Sequence, residues 1–219
     1  MTHLAQDPNE LFDVIDVHGM PTGVVKRRAD VHRAGDWHRA IHVWIYGEDD
    51  DGAFIVVQRR GLDKDTWPGA IDATAAGHLT AGETPEGAFR EIEEELGITP
   101  DLRQLQHVGT RVIAGEEPPD RMDQEFEEVY LLRDDRPLTG YRPNSVEVDA
   151  LLRIPLKKWL RLLFAETDEV ETQLLISATM KLHNHRLTRD PLVPSPDRYY
   201  QRVAVACARA LKGERYLVV

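Results

Sequence analysis

The residues best placed to do chemistry lie in one stretch, Gly77-His78-Leu79-Thr80-Ala81-Gly82-Glu83-Thr84-Pro85-Glu86-Gly87-Ala88-Phe89-Arg90-Glu91-Ile92-Glu93-Glu94-Glu95-Leu96-Gly97-Ile98. Its first half is punctuated by glycines, which let a backbone approach a ligand closely. Its second half predicts a helix over 84–96. Thr84 is a suitable N-cap, Pro85 suits the first helical position, Glu86 complements the positive end of the dipole, and Gly97 stops the helix. At helical spacing Ala88, Phe89, Ile92 and Leu96 share one face, while Glu91, Glu94 and Glu95 cluster on another. Like charges at i, i+3 and i+4 cost about 0.2–0.5 kcal/mol per pair. A hard divalent cation such as Mg²⁺ reverses that penalty, because it takes carboxylate oxygens as ligands. Such an ion lets clustered carboxylates and a phosphorylated small molecule share one site. Arg59 and Arg60, at the end of a predicted strand, offer planar donors that match phosphate oxygens. The bland alternative is a solvated acidic helix face and two surface arginines.

The segment resembles the signature of the Nudix hydrolases, Gly-x5-Glu-x7-Arg-Glu-(apolar)-x-Glu-Glu-x-Gly-(apolar). Gly77 and Glu83 match the first part; Arg90, Glu91, Ile92, Glu94, Glu95, Gly97 and Ile98 match the second. Residues 84–89 separate Glu83 from Arg90, one fewer than the family usually has, so Glu83 is shifted relative to the later glutamates. The resemblance extends over 11–159. Gly19, Pro21-Thr22-Gly23, His32, His38, Gln58-Arg59-Arg60, Trp67-Pro68-Gly69 and Ala76-Gly77-His78 point to a branch similar to the isopentenyl-diphosphate isomerases, which share the fold but move a carbon–carbon double bond.

The resemblance implies an α+β Nudix fold, a mixed β-sheet sandwiched between helices, with Mg²⁺ or Mn²⁺ held by Glu91, Glu94 and Glu95. The catalytic set it implies is Glu91, Glu94, Arg90 and Glu125. Arg90 would orient a box glutamate, and the 123–128 stretch is the place to seek an extra acid that deprotonates water. Gly77, Arg59 and Arg60 would meet the substrate. In the isomerases two early histidines, a histidine after the box glycine and two later acids hold a metal, and the matching positions are His32, His38, His78, Asp123 and Glu125. Those enzymes also carry a cysteine before the Gly-His pair and a degenerate box helix. Ala76 stands in the cysteine's place and the Arg-Glu-x-x-Glu-Glu set is intact. The expected activity is therefore hydrolysis of a phosphoanhydride bond in a nucleoside diphosphate derivative or related organic diphosphate. An isomerase-like enzyme and a non-catalytic nucleotide-binding regulator are the alternatives.

Stepping outward from the box, strands are predicted over 11–17, near Val24, and over 40–46, 53–58, 108–113 and 126–132, from their β-branched and aromatic runs. The acidic run from Glu48 to Asp51 reads as the solvated loop of a hairpin. Segments 156–164, 169–187 and 198–211 have apolar spacing of helical type, the last two parted by Pro191, Pro194 and Pro196. The expected organisation is a Nudix domain over 1–166 with a helical C-terminal extension over 167–219 packed on it. That extension could form a homodimer face, cap the pocket or enlarge the core. Trp37, Trp44, Trp67 and Trp159 are expected to pack rather than to bind.

The 219 residues carry 38 Asp+Glu against 27 Lys+Arg, a net charge of −11, which disfavours unaided binding to a nucleic-acid polymer or to an anionic membrane. A small-molecule diphosphate bridged by a cation remains compatible with that charge. With 42% hydrophobic residues the chain can bury a core, and no stretch approaches the roughly 18–20 apolar residues of a membrane span. The single cysteine, Cys207, reads as a small packing residue and suits a reducing compartment. No secretory signal is evident at the start, so a cytoplasmic location is expected.

Overall fold

The computed structural model describes residues 6–117 and 121–219. β1 (Leu11–Ile15) and β2 (Pro21–Arg27) make a two-stranded antiparallel sheet, and α1 (Arg28–Ala34) follows without a linker. Then come β3 (His38–Asp49), β4 (Gly52–Arg60), β5 (Ile71–Asp72), β6 (Ala75–His78), α2 (Arg90–Leu96), β7 (Leu105–Glu117) and β8 (Arg121–Arg133). The chain closes with β9 (Val148–Pro155), α3 (Leu156–Leu163), β10 (Glu169–Ile176), β11 (Lys181–Thr188) and α4 (Tyr199–Ala210). The main sheet runs β11-β10-β9-β4-β3-β8-β7, with β5 on β4 and β6 on β3. It is mixed: β3 runs parallel to β8 but antiparallel to β4 and β6.

Alternation along β3 divides the core into two layers. Ile41, Val43 and Ile45 pack with Ala88, Ile92 and Leu96 of the box helix and the turn before it. Trp44 and Tyr46, from the other face, pack with Trp159 and Leu162 of α3 and Val203 and Cys207 of α4. The sheet therefore lies between helices, as the sequence resemblance implied. No helix among the described residues is long and apolar enough to cross a membrane.

Two expectations need correction. Segment 169–187 is not a helix but a hairpin, β10 and β11 in register from Glu169↔Thr188 to Ile176↔Lys181. The buried positions of β10 include Val170, Thr172 and Leu174, a period of two. β9 settles the matter by pairing with Gln173 to Ile176, and Thr172 donates its hydroxyl to the Arg153 carbonyl at 2.6 Å. Leu174 and Leu175 face opposite layers of the core, one in each cluster, which mimics an apolar stripe when read in one dimension. The helix predicted over 84–96 also starts later. Residues Gly87–Phe89 form a 3₁₀ turn and the α-helix begins at Arg90. Thr84 still serves this entry, since Gly87 N–H donates to its hydroxyl at 3.3 Å and Ala88 N–H to its carbonyl at 3.1 Å.

Candidate functional site

Gly77 in β6 lies against Glu91 of α2 so closely that a Cβ there would stand 2.3 Å from the Glu91 carboxyl carbon. Glycine is thus required for Glu91 to occupy its place. At the other end of the helix Gly97 adopts φ 63° and returns its N–H to Glu93 at 2.9 Å, a left-handed cap that ends α2.

Arg90 ties the acids together. Its Nη1 donates to Glu91 and to Glu94, both at 2.8 Å, and its Nε and Nη2 donate to Glu83 at 3.0 and 3.3 Å. The shortened interval between Glu83 and Arg90 is absorbed by the 3₁₀ turn, which has fewer residues per turn than an α-helix. Gly87 helps, because a Cβ there would lie 2.9 Å from the Glu83 side chain. Burial alone would raise the Glu83 carboxyl, but hydrogen bonds from Arg90 and Thr80 outweigh it and hold it low.

The three box glutamates differ sharply. Glu94 is exposed, with 54% of its side chain accessible. Glu95 is buried behind the helix and accepts from Gln58 Nε2 at 3.2 Å and Ala76 N–H at 3.1 Å, with Lys64 at 3.5 Å. Glu91 lies between them, pushed up to about 8 by burial and the neighbouring charges of Glu95 and Glu94, against the pull of Arg90. A carboxyl so crowded by negative charge suits a cation at Glu91 and Glu94, and oxygen donors select a hard one such as Mg²⁺.

A second group assembles from four elements. His32 comes from α1, His38 from β3, His78 from β6 and Glu125 from β8, and their ligating atoms all lie within 4.8 Å of one another. Glu125 lies 2.7 Å from His78 Nε2 and 3.1 Å from His38 Nε2. Asp123 stands 3.9 Å from His32 and 3.8 Å from His38. Phe12 stacks on His38 and His78 at ring separations of 5.4 and 4.9 Å. Burial and the adjacent Arg28 keep the His78 imidazole neutral, while His78 and His38 overcome burial to hold Glu125 well below the usual carboxylate range. Imidazole nitrogens beside a carboxylate make a donor set chemically suited to several divalent metals.

One cavity of about 380 Å³ joins both groups; Glu91, Glu94, Arg90, Gly77, His32, His78, Asp123 and Glu125 line it. Arg60 is on its wall, paired with Asp72 at 3.0 Å. Arg59 is not among the lining residues; its Nε pairs with Asp149 at 2.5 Å. Glu95 is likewise behind the wall. Arg28, Lys64, His42, Arg111 and Tyr199 also line the cavity, none of them marked by a motif, and so does Glu127 of the acidic 123–128 stretch. Arg28 is 5% exposed, donates to His78 Nδ1 at 2.7 Å, and has a buried Nε with no hydrogen-bond partner among the described residues. His42 and Glu127 were discoverable, since they follow His38 by four residues and Glu125 by two and so share a strand face with them.

A mixed sheet between helices, with a glycine-led glutamate helix opening onto a polar cavity, defines the class. The NUDIX domain family matches residues 36–175, and the chain belongs to the Nudix family. It is 37% identical over 161 residues to Nudix hydrolase 3 of Arabidopsis thaliana, covering 72% of this chain but 21% of that much longer protein. It is 31% identical over 200 residues to a Clostridium acetobutylicum protein named as an uncharacterized Nudix hydrolase, covering 89% of this chain and 95% of the relative. The isopentenyl-diphosphate Delta-isomerase of Streptomyces avermitilis is 32% identical over 63% of this chain and 67% of its own length. The crystal structure of a Deinococcus radiodurans protein superposes with a TM-score of 0.55 at 23% identity, over 71% of this chain and 90% of that one, a likeness of fold.

Proposed function

We propose that this protein is a metal-dependent diphosphatase that cleaves the phosphoanhydride bond of a nucleoside diphosphate derivative or a related organic diphosphate. One observation carries the reading: Glu91 and Glu94 of the intact Arg-Glu-x-x-Glu-Glu set open onto a cavity that also presents Arg28, Arg60 and Lys64. Glu91 and Glu94 would hold Mg²⁺ or Mn²⁺, with Glu95 behind them fixing the helix against Gln58, Ala76 and Lys64. The bound cation supplies charge neutralisation on the diphosphate and acidifies a ligated water. Arg90, already holding Glu83, Glu91 and Glu94, positions the carboxylates. Arg28 and Arg60 supply donors for phosphate oxygens. In this reading Glu125 would take the proton from water, or with His32, His38, His78 and Asp123 would make a second metal site. The buried, lone Cys207 is compatible with the reducing cytoplasm.

The test is turnover of a library of organic diphosphates with Mg²⁺ or Mn²⁺ by wild type and Glu94→Gln. The variant should lose about 100-fold or more in rate, because it takes a carboxylate ligand from the cation site, while its melting temperature stays put because the side chain is exposed. Equal rates in both overturn the site.

A second reading has its own observation. The three histidines and Glu125 converge as they do in the isomerases, which supports an isopentenyl-diphosphate isomerase-like activity. Against it, Ala76 brings no thiol to the cavity, and Cys207 of α4 is fully buried in the core layer between the sheet and the helices. Formation of dimethylallyl diphosphate without phosphate release would reverse the order of the two.

A further inference from the structure

Beyond the histidine group the cavity continues to a second polar centre that neither the box nor a metal accounts for. Tyr199, from α4, receives the indole N–H of Trp44 on its hydroxyl oxygen at 2.9 Å. Its own proton is therefore free to go to His42 Nδ1, 3.1 Å away. An imidazole that accepts at Nδ1 presents Nε2–H as a donor. That Nε2 lies 3.6 Å from Glu127 Oε1, beyond hydrogen-bonding range. The other Glu127 oxygen takes Arg111 Nη1 at 2.9 Å, and Arg111 is anchored in turn by Asp197 at 2.9 Å and by its position over the Tyr199 ring. The result is a fixed donor and a fixed acceptor side by side on the cavity wall, not bonded to each other.

We propose that His42 and Glu127, held in place by Tyr199 and Arg111, bind a hydroxyl of the substrate's non-phosphate part, so that the substrate class is a diphosphate of a sugar or other polyol rather than of a hydrocarbon. A hydroxyl is the simplest group that both accepts from His42 and donates to Glu127. An alkyl chain placed there would leave both polar groups desolvated and unpaired, which weakens its binding. Tyr199 and Asp197 lie beyond residues 36–175, so this end of the cavity is built partly by chain outside the shared domain. The proposal rests on the diphosphatase reading for what sits at the other end.

The test uses two ligands with five carbons on a diphosphate, ribose 5-diphosphate and isopentyl diphosphate, titrated calorimetrically into the full-length chain with Mg²⁺. Wild type should bind the ribose compound about tenfold more tightly, the loss expected when a hydrogen-bonding site meets an analogue lacking the group. His42→Ala should weaken the ribose ligand about tenfold and the isopentyl ligand less than about twofold. Tyr199→Phe, which keeps the ring and its packing, guards against a fold defect and should weaken the ribose ligand alone by about threefold. Tighter binding of isopentyl diphosphate by wild type, equal losses of both ligands in the variants, or binding of neither ligand overturns the hydroxyl subsite. Hydrolysis surviving in Glu94→Gln overturns the diphosphatase reading instead, and the two failures are read from different measurements.

Discussion

A missing methyl group at Gly77 decides where Glu91 stands. An added Cβ would meet the Glu91 carboxyl carbon at 2.3 Å, so Gly77→Ala must push that carboxylate off its position. Because the displaced atoms belong to a side chain rather than to backbone, the fold should persist while turnover falls about tenfold or more, a loss that steady-state kinetics and a melting curve separate. Asp197 offers a residue whose charge state is coupled to folding. Burial would raise its carboxyl, but Arg111 and Ser195 prevail and hold it down to about 2. A carboxylate depressed in the folded state adds stability that is complete above its unfolded value near pH 4 and fades as pH falls towards 2. Acid unfolding should therefore begin at higher pH in Asp197→Asn than a neutral surface change would produce, and coincident curves would contradict that coupling.

At the scale of elements, what could be read in advance is what local spacing alone determines. The box helix was legible because Ala88, Ile92 and Leu96 keep helical spacing and Gly97 ends it, whereas its start was not, since Gly87–Phe89 forms a tighter turn that closes the gap from Glu83 to Arg90. Gly97→Ala tests that ending directly: a Cβ would sit 2.3 Å from the Arg142 carbonyl at φ 63°, and the cost should be about 1–3 kcal/mol in a denaturant titration. The hairpin of β10 and β11 was misread because its alternation becomes decisive when β9 lies alongside, a contact that local spacing does not contain. α1 was missed altogether. It has seven residues and no side-chain cap, yet it delivers both Arg28 and His32. Thus Glu91 and Glu94 could be named from helical spacing and His78 and Glu125 from the family resemblance, while the Arg28 contact to His78 and the Tyr199–His42 pair depend on segments far apart in the chain.

On the scale of the whole molecule, the charge of −11 is not spread evenly in purpose. Glu48, Asp50 and Asp51 meet solvent, whereas Glu91, Glu95, Glu125 and Glu127 are drawn inward against arginine, lysine and histidine. The helices on the Trp44 face are a structural necessity: Trp159 is fully buried between the sheet and α4. Trp159→Ala should cost about 3–5 kcal/mol, a fall of roughly 10 °C in melting temperature for a chain of this size by calorimetry. A fall of a degree or two would mean that this layer can collapse around the gap. β8 has one further consequence. Its alternate residues Asp123, Glu125 and Glu127 all reach the cavity, and successive members stand two positions apart, about 7 Å along the strand. The strand is in effect a ruler graduated in carboxylates, fixing the distance between the acid beside the histidines and the acid beside His42. Side-chain swaps on that ruler would change which substrate length is accepted in discrete steps, and a one-residue slip in its register would turn every graduation to the opposite face at once.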